Sequence, residues 1–201
     1  MSEVFFRVFL DANVLAKPVT RTLLMACGPF SGFLAVWSKT AETEANRHLR
    51  PRMISVTEVR QLYGGILSPT GKINDRFTAT SETDRQILAD AAASNARFLI
   101  TEDVDDFAEP DLQAVGTSAV NPDLFLSKYL NREAYARIVN LFAERQVSPP
   151  HTPAEIHAAI ARQHPRLFST HADLFEIEPC HLQQILPQSN SAARFLYSDE
   201  A

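Results

Sequence analysis

From Val4 to about Leu130, strand-like apolar runs alternate with helix-patterned segments, and few folds accept that rhythm. Strands separated by helices cannot close as hairpins, so they assemble into a parallel sheet whose faces the helices cover. The strand candidates are 5–10 (FFRVFL), 33–37 (FLAVW), 97–101 (RFLIT) and 113–120 (QAVGTSAV). Helical patterns fall near 19–28, 38–49, 55–63 and 82–94. In the last of these, Ile87, Leu88, Ala91 and Ala92 recur at helical spacing, with Ser81 or Thr83 as the expected N-cap. Residues 64–80, rich in glycine and hydroxyl side chains, read as a long loop.

This α/β domain is expected over residues 4–130, which a chain of 201 residues can close around one sizeable core. Helical patterning that starts near 121 continues as an extension over 131–180. There Ala134, Ile138, Leu141 and Phe142 form an apolar stripe, SPPHTP at 148–153 breaks the chain, and Pro153 reopens a helix. Residues 181–201 read as a loosely ordered tail. His157, His164 and His171 stand seven apart, but Pro165 interrupts the row and they read as exposed.

A net charge of −5 provides no overall basic field, so a nucleic-acid partner would need a local basic patch or bound cations. Cys27 and Cys180 lack metal-ligand spacing and suit a reducing compartment. MSEVFFRVFL reads as a first strand rather than a signal peptide, and no apolar stretch is long enough to span a bilayer. The expected location is the cytoplasm, with no membrane partner.

Ligands of an open parallel sheet gather at the carboxyl ends of its strands. Asp11 follows the first strand directly, and Asp103 follows RFLIT after only Glu102. Asp84 opens the helix leading into RFLIT, and Glu44 lies one turn into the helix after FLAVW. Carboxylates converging on one edge repel one another unless a cation holds them, and a hard divalent ion such as Mg²⁺ suits such ligands. Each acid also has a plainer reading. Asp84 can simply complement a helix dipole, and Asp103, Asp105 and Asp106 can be a solvated turn. Glu42 reads as first-turn decoration. Asp11 is the hardest to dismiss, because a polar group ending an apolar strand needs partners.

FLDANVL at 9–15, WSKTAETEANRHL at 37–49, DRQILADAA at 84–92 and LITEDVDDF at 99–107 resemble, in order and spacing, the motifs of the PIN-domain ribonucleases. The fit is to the bacterial subgroup that includes VapC-type toxins. The resemblance covers most of residues 4–130, and 131–178 is similar, through the proline break and HADLF, to a helical extension in one VapC-like branch. It implies a PIN-like three-layer α/β/α fold with a central parallel sheet, and RNA cleavage with Mg²⁺ or Mn²⁺. By position, Asp11, Glu44, Asp84 and Asp103 match the acids that hold the metal and carry catalysis. Asn13 and Thr101 match the groups supporting them, with Asp106 beside them, and Trp37 and Ser38 set the register of Glu44.

The sequence departs from the pattern in three places. The fourth acid is often asparagine in this subgroup, so Asp103 either supports the other ligands or holds a second metal. Asp90 stands where a small residue is usual and reads as an exposed helix residue. Ala41 and Glu42 replace a bulky apolar pair.

One or two cations would activate water for in-line attack on an RNA phosphodiester. The segment HLRPRM, with His48, Arg50 and Arg52 and with Arg47 and Arg60 nearby, could track the RNA backbone, or Arg47 could pair with Glu44 on a solvated helix face. The resemblance further implies a cognate antitoxin protein and a possible homodimer. Competing readings are an RNA-processing nuclease without antitoxin and a non-catalytic RNA-binding module. An aspartyl-phosphate phosphatase fits less well, since the second aspartate it needs two residues on is Asn13 here.

Overall fold

The computed structural model describes residues 5–73 and 77–175, and the chain divides into two compact units between Pro122 and Asp123. The expected 181–201 tail and the last residues of the expected extension lie outside the described residues.

The first unit is an α/β fold with a five-stranded, all-parallel sheet flanked by helices, compatible with a three-layer arrangement. In chain order it runs β1 (Phe6–Leu10), α1 (Ala12–Leu15), α2 (Pro18–Cys27), β2 (Phe33–Trp37), α3 (Lys39–His48) and α4 (Val56–Tyr63). It continues with β3 (Ile66–Leu67), α5 (Arg85–Ala93), β4 (Ala96–Ile100), α6 (Glu109–Val115) and β5 (Ser118–Val120). The strand order is β3-β2-β1-β4-β5. Val8, Phe9 and Leu10 are all fully buried. Successive strand residues point to opposite faces, so this run means that both faces of β1 are covered.

The chain leaves β1 for β2 on one side and β4 for β5 on the other. The crevice beyond the carboxyl ends of β1 and β4 is therefore the topological switch point, where such sheets place ligands.

Three local differences from the sequence reading have physical causes. Residues 113–115, expected as strand, end α6 instead. Pro110 in its first turn and Glu109 and Asp111 at its positive end favour the helix, and Gly116 at φ 67° stops it. The residue heading α5 is Asp84 rather than Ser81 or Thr83, and its side chain makes no capping bond.

Asp90 is fully buried rather than exposed. Its Oδ1 accepts hydrogen bonds from the Gly71 amide and Gln86 Nε2, both at 2.7 Å. A Cβ on Gly71 would lie 1.9 Å from the Ala89 carbonyl oxygen, so only glycine lets the 64–80 loop approach α5 so closely.

The second unit is helical: α7 (Pro122–Tyr129), α8 (Arg132–Arg145), α9 (Pro153–Ile160) and α10 (Pro165–Thr170), then a 3₁₀ turn at Ala172–Phe175. Thr152 and Glu155 form a capping box at the start of α9, with Pro153 in its first turn. Asp123 accepts the Arg166 and Leu167 amides, both at 3.0 Å, and so caps α10.

His157, His164 and His171 are buried rather than exposed. Proline restarts the helix without turning these rings to solvent. His171 stacks on Tyr135 at 4.9 Å and His157 on Phe168 at 4.4 Å. Tyr135 Oη lies 2.7 Å from His157 Nδ1. Burial pushes His157 down to about 4. No helix of the described residues is long and apolar enough to cross a membrane.

Candidate functional site

Asp11 ends β1 and caps α1. Its Oδ1 accepts the Ala12 amide at 2.6 Å. Its Oδ2 accepts the Thr101 hydroxyl at 2.8 Å from the end of β4. Thr101 Oγ1 in turn accepts Asn13 Nδ2 at 3.1 Å and the Asp103 amide at 3.2 Å. Asn13 Nδ2 also reaches Asp103 Oδ2 at 3.0 Å, while Asn13 Oδ1 accepts the Glu102 amide at 3.3 Å. Beyond the backbone pairing of β1 with β4, these bonds lock the two strand ends into one polar joint. Lys17 pairs with Glu102 beside it.

Asp11 is 9% exposed, and no cation of the described residues pairs with it. Burial pushes its carboxyl up to about 6. The bonds from Thr101 and Ala12 oppose that shift, whereas the charges of Glu44 and Asp84 add to it.

Asp11 faces a cavity of about 360 Å³. Asn13, Glu44, Asp84, Asp103 and Asp106 line the same cavity, so all four acids expected at the site converge on it. The apolar lining comes from Ala12, Ile87 and Phe107. Ser38 sets the phase of α3 by accepting the Ala41 amide at 3.1 Å. Ala41 and Ala45 then bury their side against the core, and Glu44 remains exposed to the cavity. The Asp84 carboxylate, instead of capping α5, accepts the hydroxyls of Ser81 and Thr83, the latter at 3.2 Å.

Glu42, two residues before Glu44, is no surface decoration. Residues two apart on a helix lie about 200° around the axis, and Glu42 is fully buried on the other side of α3. It accepts Lys39 Nζ at 2.7 Å, Arg60 Nε at 2.8 Å, the Thr57 hydroxyl at 2.9 Å and Trp37 Nε1 at 3.2 Å. Burial alone would raise this carboxyl, but the four partners outweigh it and hold it at about 2. The expected bulky apolar pair is thus replaced by alanine and an internally neutralised glutamate that ties β2, α3 and α4 together.

Arg47, Arg50 and Arg52 are exposed, and none of them lines the cavity. Arg47 forms no ion pair with Glu44 among the described residues. The cavity does take a basic side chain from that segment, His48. The signal for it was its position four residues after Glu44, which shares a helix face.

The donor chemistry of this lining is of the kind a hard divalent cation takes. The lining carboxylates are oxygen ligands, and the deepest of them is desolvated without an internal positive partner. Among the described residues no group of three or more acids, histidines or cysteines is placed so that it could hold a metal ion by itself. Mg²⁺ does not require one, because it keeps several waters and takes one or two carboxylates directly. In comparisons with known proteins, no family model, curated protein or solved structure matches this chain.

Proposed function

We propose that this chain is a metal-dependent endoribonuclease of the PIN type that cleaves RNA phosphodiester bonds with Mg²⁺ or Mn²⁺. The observation that carries the proposal is Asp11: a carboxylate buried at the switch point, bonded only to neutral donors, and facing a cavity that three more acids share. Burying a charge without a counter-charge is costly. A bound cation offsets that cost and gives the residue a use.

Asp11, Glu44, Asp84 and Asp103 would hold the cation, directly or through its waters. Bound there, the ion would polarise a phosphodiester and lower the pKa of an attacking water. The chain's own groups do the positioning. Thr101 fixes Asp11 Oδ2, and Asn13 fixes Asp103 Oδ2, so two acids from different strands keep one relative orientation. Ala12, Ile87 and Phe107 supply the apolar part of the lining.

The test is cleavage of single-stranded RNA by the purified chain with Mg²⁺ or Mn²⁺. EDTA and the substitution Asp84→Asn are each expected to abolish it while the far-ultraviolet circular dichroism spectrum stays unchanged. Cleavage that survives both treatments would remove the metal-centre assignment.

That no three-ligand group stands ready among the described residues favours one second reading, an RNA-binding module whose acids are structural. It predicts RNA binding without turnover under the same conditions. A toxin role with a cognate antitoxin rests on the sequence resemblance. It is tested by growth arrest on expression of this chain alone and relief by a short companion from the neighbouring reading frame.

A further inference from the structure

We infer that His48 is the substrate-positioning donor of the acid-lined cavity, bonding a non-bridging oxygen of the scissile phosphate. The inference rests on the nuclease reading above. A phosphodiester entering this cavity brings negative charge beside Asp11, Glu44, Asp84 and Asp103, and cations alone would leave its free oxygens unoriented.

Among the lining residues there is no lysine or arginine, and the Asn13 amide is already committed to Thr101 and Asp103. His48 is the remaining lining side chain with an N–H to give. An imidazole donates a hydrogen bond in either protonation state, so the role does not depend on its charge. Its placement follows from α3. Glu44 and His48 are one turn apart on the same face, and His48 occupies the last turn of the helix. One helix face thus supplies both an acid for the cation and a donor for the phosphate. The arginines of the same segment stay outside the cavity and can only follow the strand beyond it.

The experiment compares the full chain with H48A and H48Q, using a single-stranded RNA oligonucleotide and Mn²⁺, with Mn²⁺ affinity measured separately by calorimetry. His48 is exposed, so both variants are expected to fold. H48A should lower kcat/KM roughly tenfold, the effect of one lost hydrogen bond to a charged oxygen. Its Mn²⁺ affinity should be unchanged. H48Q keeps an N–H donor and should stay within about threefold of the parent chain.

The inference is overturned if H48A cleaves at the parent rate, or if H48Q is no better than H48A. Weaker Mn²⁺ binding in H48A would also overturn it, because His48 would then be a metal ligand. Cleavage that Asp11→Asn abolishes but H48A leaves untouched removes this inference alone. A parent chain that binds Mn²⁺ but never cuts RNA removes the nuclease reading along with it.

Discussion

Asp11 and Glu42 are both buried carboxylates placed by the ends of neighbouring strands, and the fold treats them in opposite ways. Glu42 receives Lys39, Arg60, Thr57 and Trp37 and is held at about 2. Asp11 receives one hydroxyl and one amide and rises to about 6. The same chain that surrounds one acid with internal cations supplies none to the other. A carboxylate neutralised from within can only be architectural. One left short of positive charge at the edge of a cavity is available to something that arrives from solution.

The sharpest way to break this contrast is Asp11→Asn. Cleavage should fall by roughly a thousandfold, since a cation's several kcal/mol of transition-state stabilisation is lost with its deepest ligand. The variant should still fold, with an unchanged far-ultraviolet circular dichroism spectrum. A variant that still cleaves at the parent rate would place Asp11 in the same structural class as Glu42.

Glu42→Ala tests the other side. It leaves the buried Trp37 donor and the half-buried Thr57 hydroxyl without this acceptor and is expected to cost about 3 kcal/mol in urea denaturation. Glu44→Gln, two residues away, should stay within about 0.5 kcal/mol in the same assay while lowering cleavage. Equal stability losses in the two variants would show that α3 does not separate its roles by face.

Metal should sharpen the difference further. At a hundred times its dissociation constant, Mn²⁺ should stabilise the parent chain by about 2.7 kcal/mol. It should leave Asp11→Asn unaffected, while a stabilised Glu42→Gln would show that the buried glutamate plays no part in binding. A thermal-shift titration of the three chains reads all of this.

The contrast also extends to pH. Asp11 holds its proton more tightly folded than unfolded, so its contribution to stability falls as pH rises from 3.8 to about 6 and is level above that. Glu42 has the opposite sign. Its contribution is complete above 4.5 and is lost as pH falls toward about 2. His157 is kept neutral by burial, and its contribution is lost as pH falls from 6.5 to about 4. It therefore overlaps the Asp11 window with the reverse slope. The Asp11 share is the difference between the parent chain and Asp11→Asn, measured by denaturation at pH 4 and pH 7. A difference that does not change between those two values would mean that Asp11 is not desolvated.

The alternation of strand and helix was legible because a wholly apolar run such as Val8, Phe9 and Leu10 leaves few options but a doubly covered strand. Polar residues following such runs, Asp11 after β1 and Thr101 with Asp103 after β4, were legible for the same reason. Asp11 and Thr101 are buried there and bond to each other, whereas Asp103 is exposed. What stayed hidden depends on partners far along the chain. Nothing around Asp90 announces that Gly71, nineteen residues earlier, will lay its amide on it. Arg60 meets Glu42 across eighteen residues, and a local reading sees only an acid in the first turn of a helix. The buried imidazoles were missed because a face defined over seven-residue steps loses meaning where proline restarts the helix. The late start of β5 was a different kind of miss. Pro110 with Glu109 and Asp111 was a helix-start signal within reach.

Thr101 has a consequence for proton traffic. A hydroxyl has one proton to give and two lone pairs to fill, and here Asp11 takes the proton while Asn13 and the Asp103 amide fill the lone pairs. Neither of those N–H groups surrenders its hydrogen at ordinary pH, so Thr101 cannot act as a wire. Whatever proton Asp11 gains or sheds must pass through the water of the cavity and not through the strands behind it. The joint that aims the carboxylate also insulates it, so its proton is exchanged only from the cavity side.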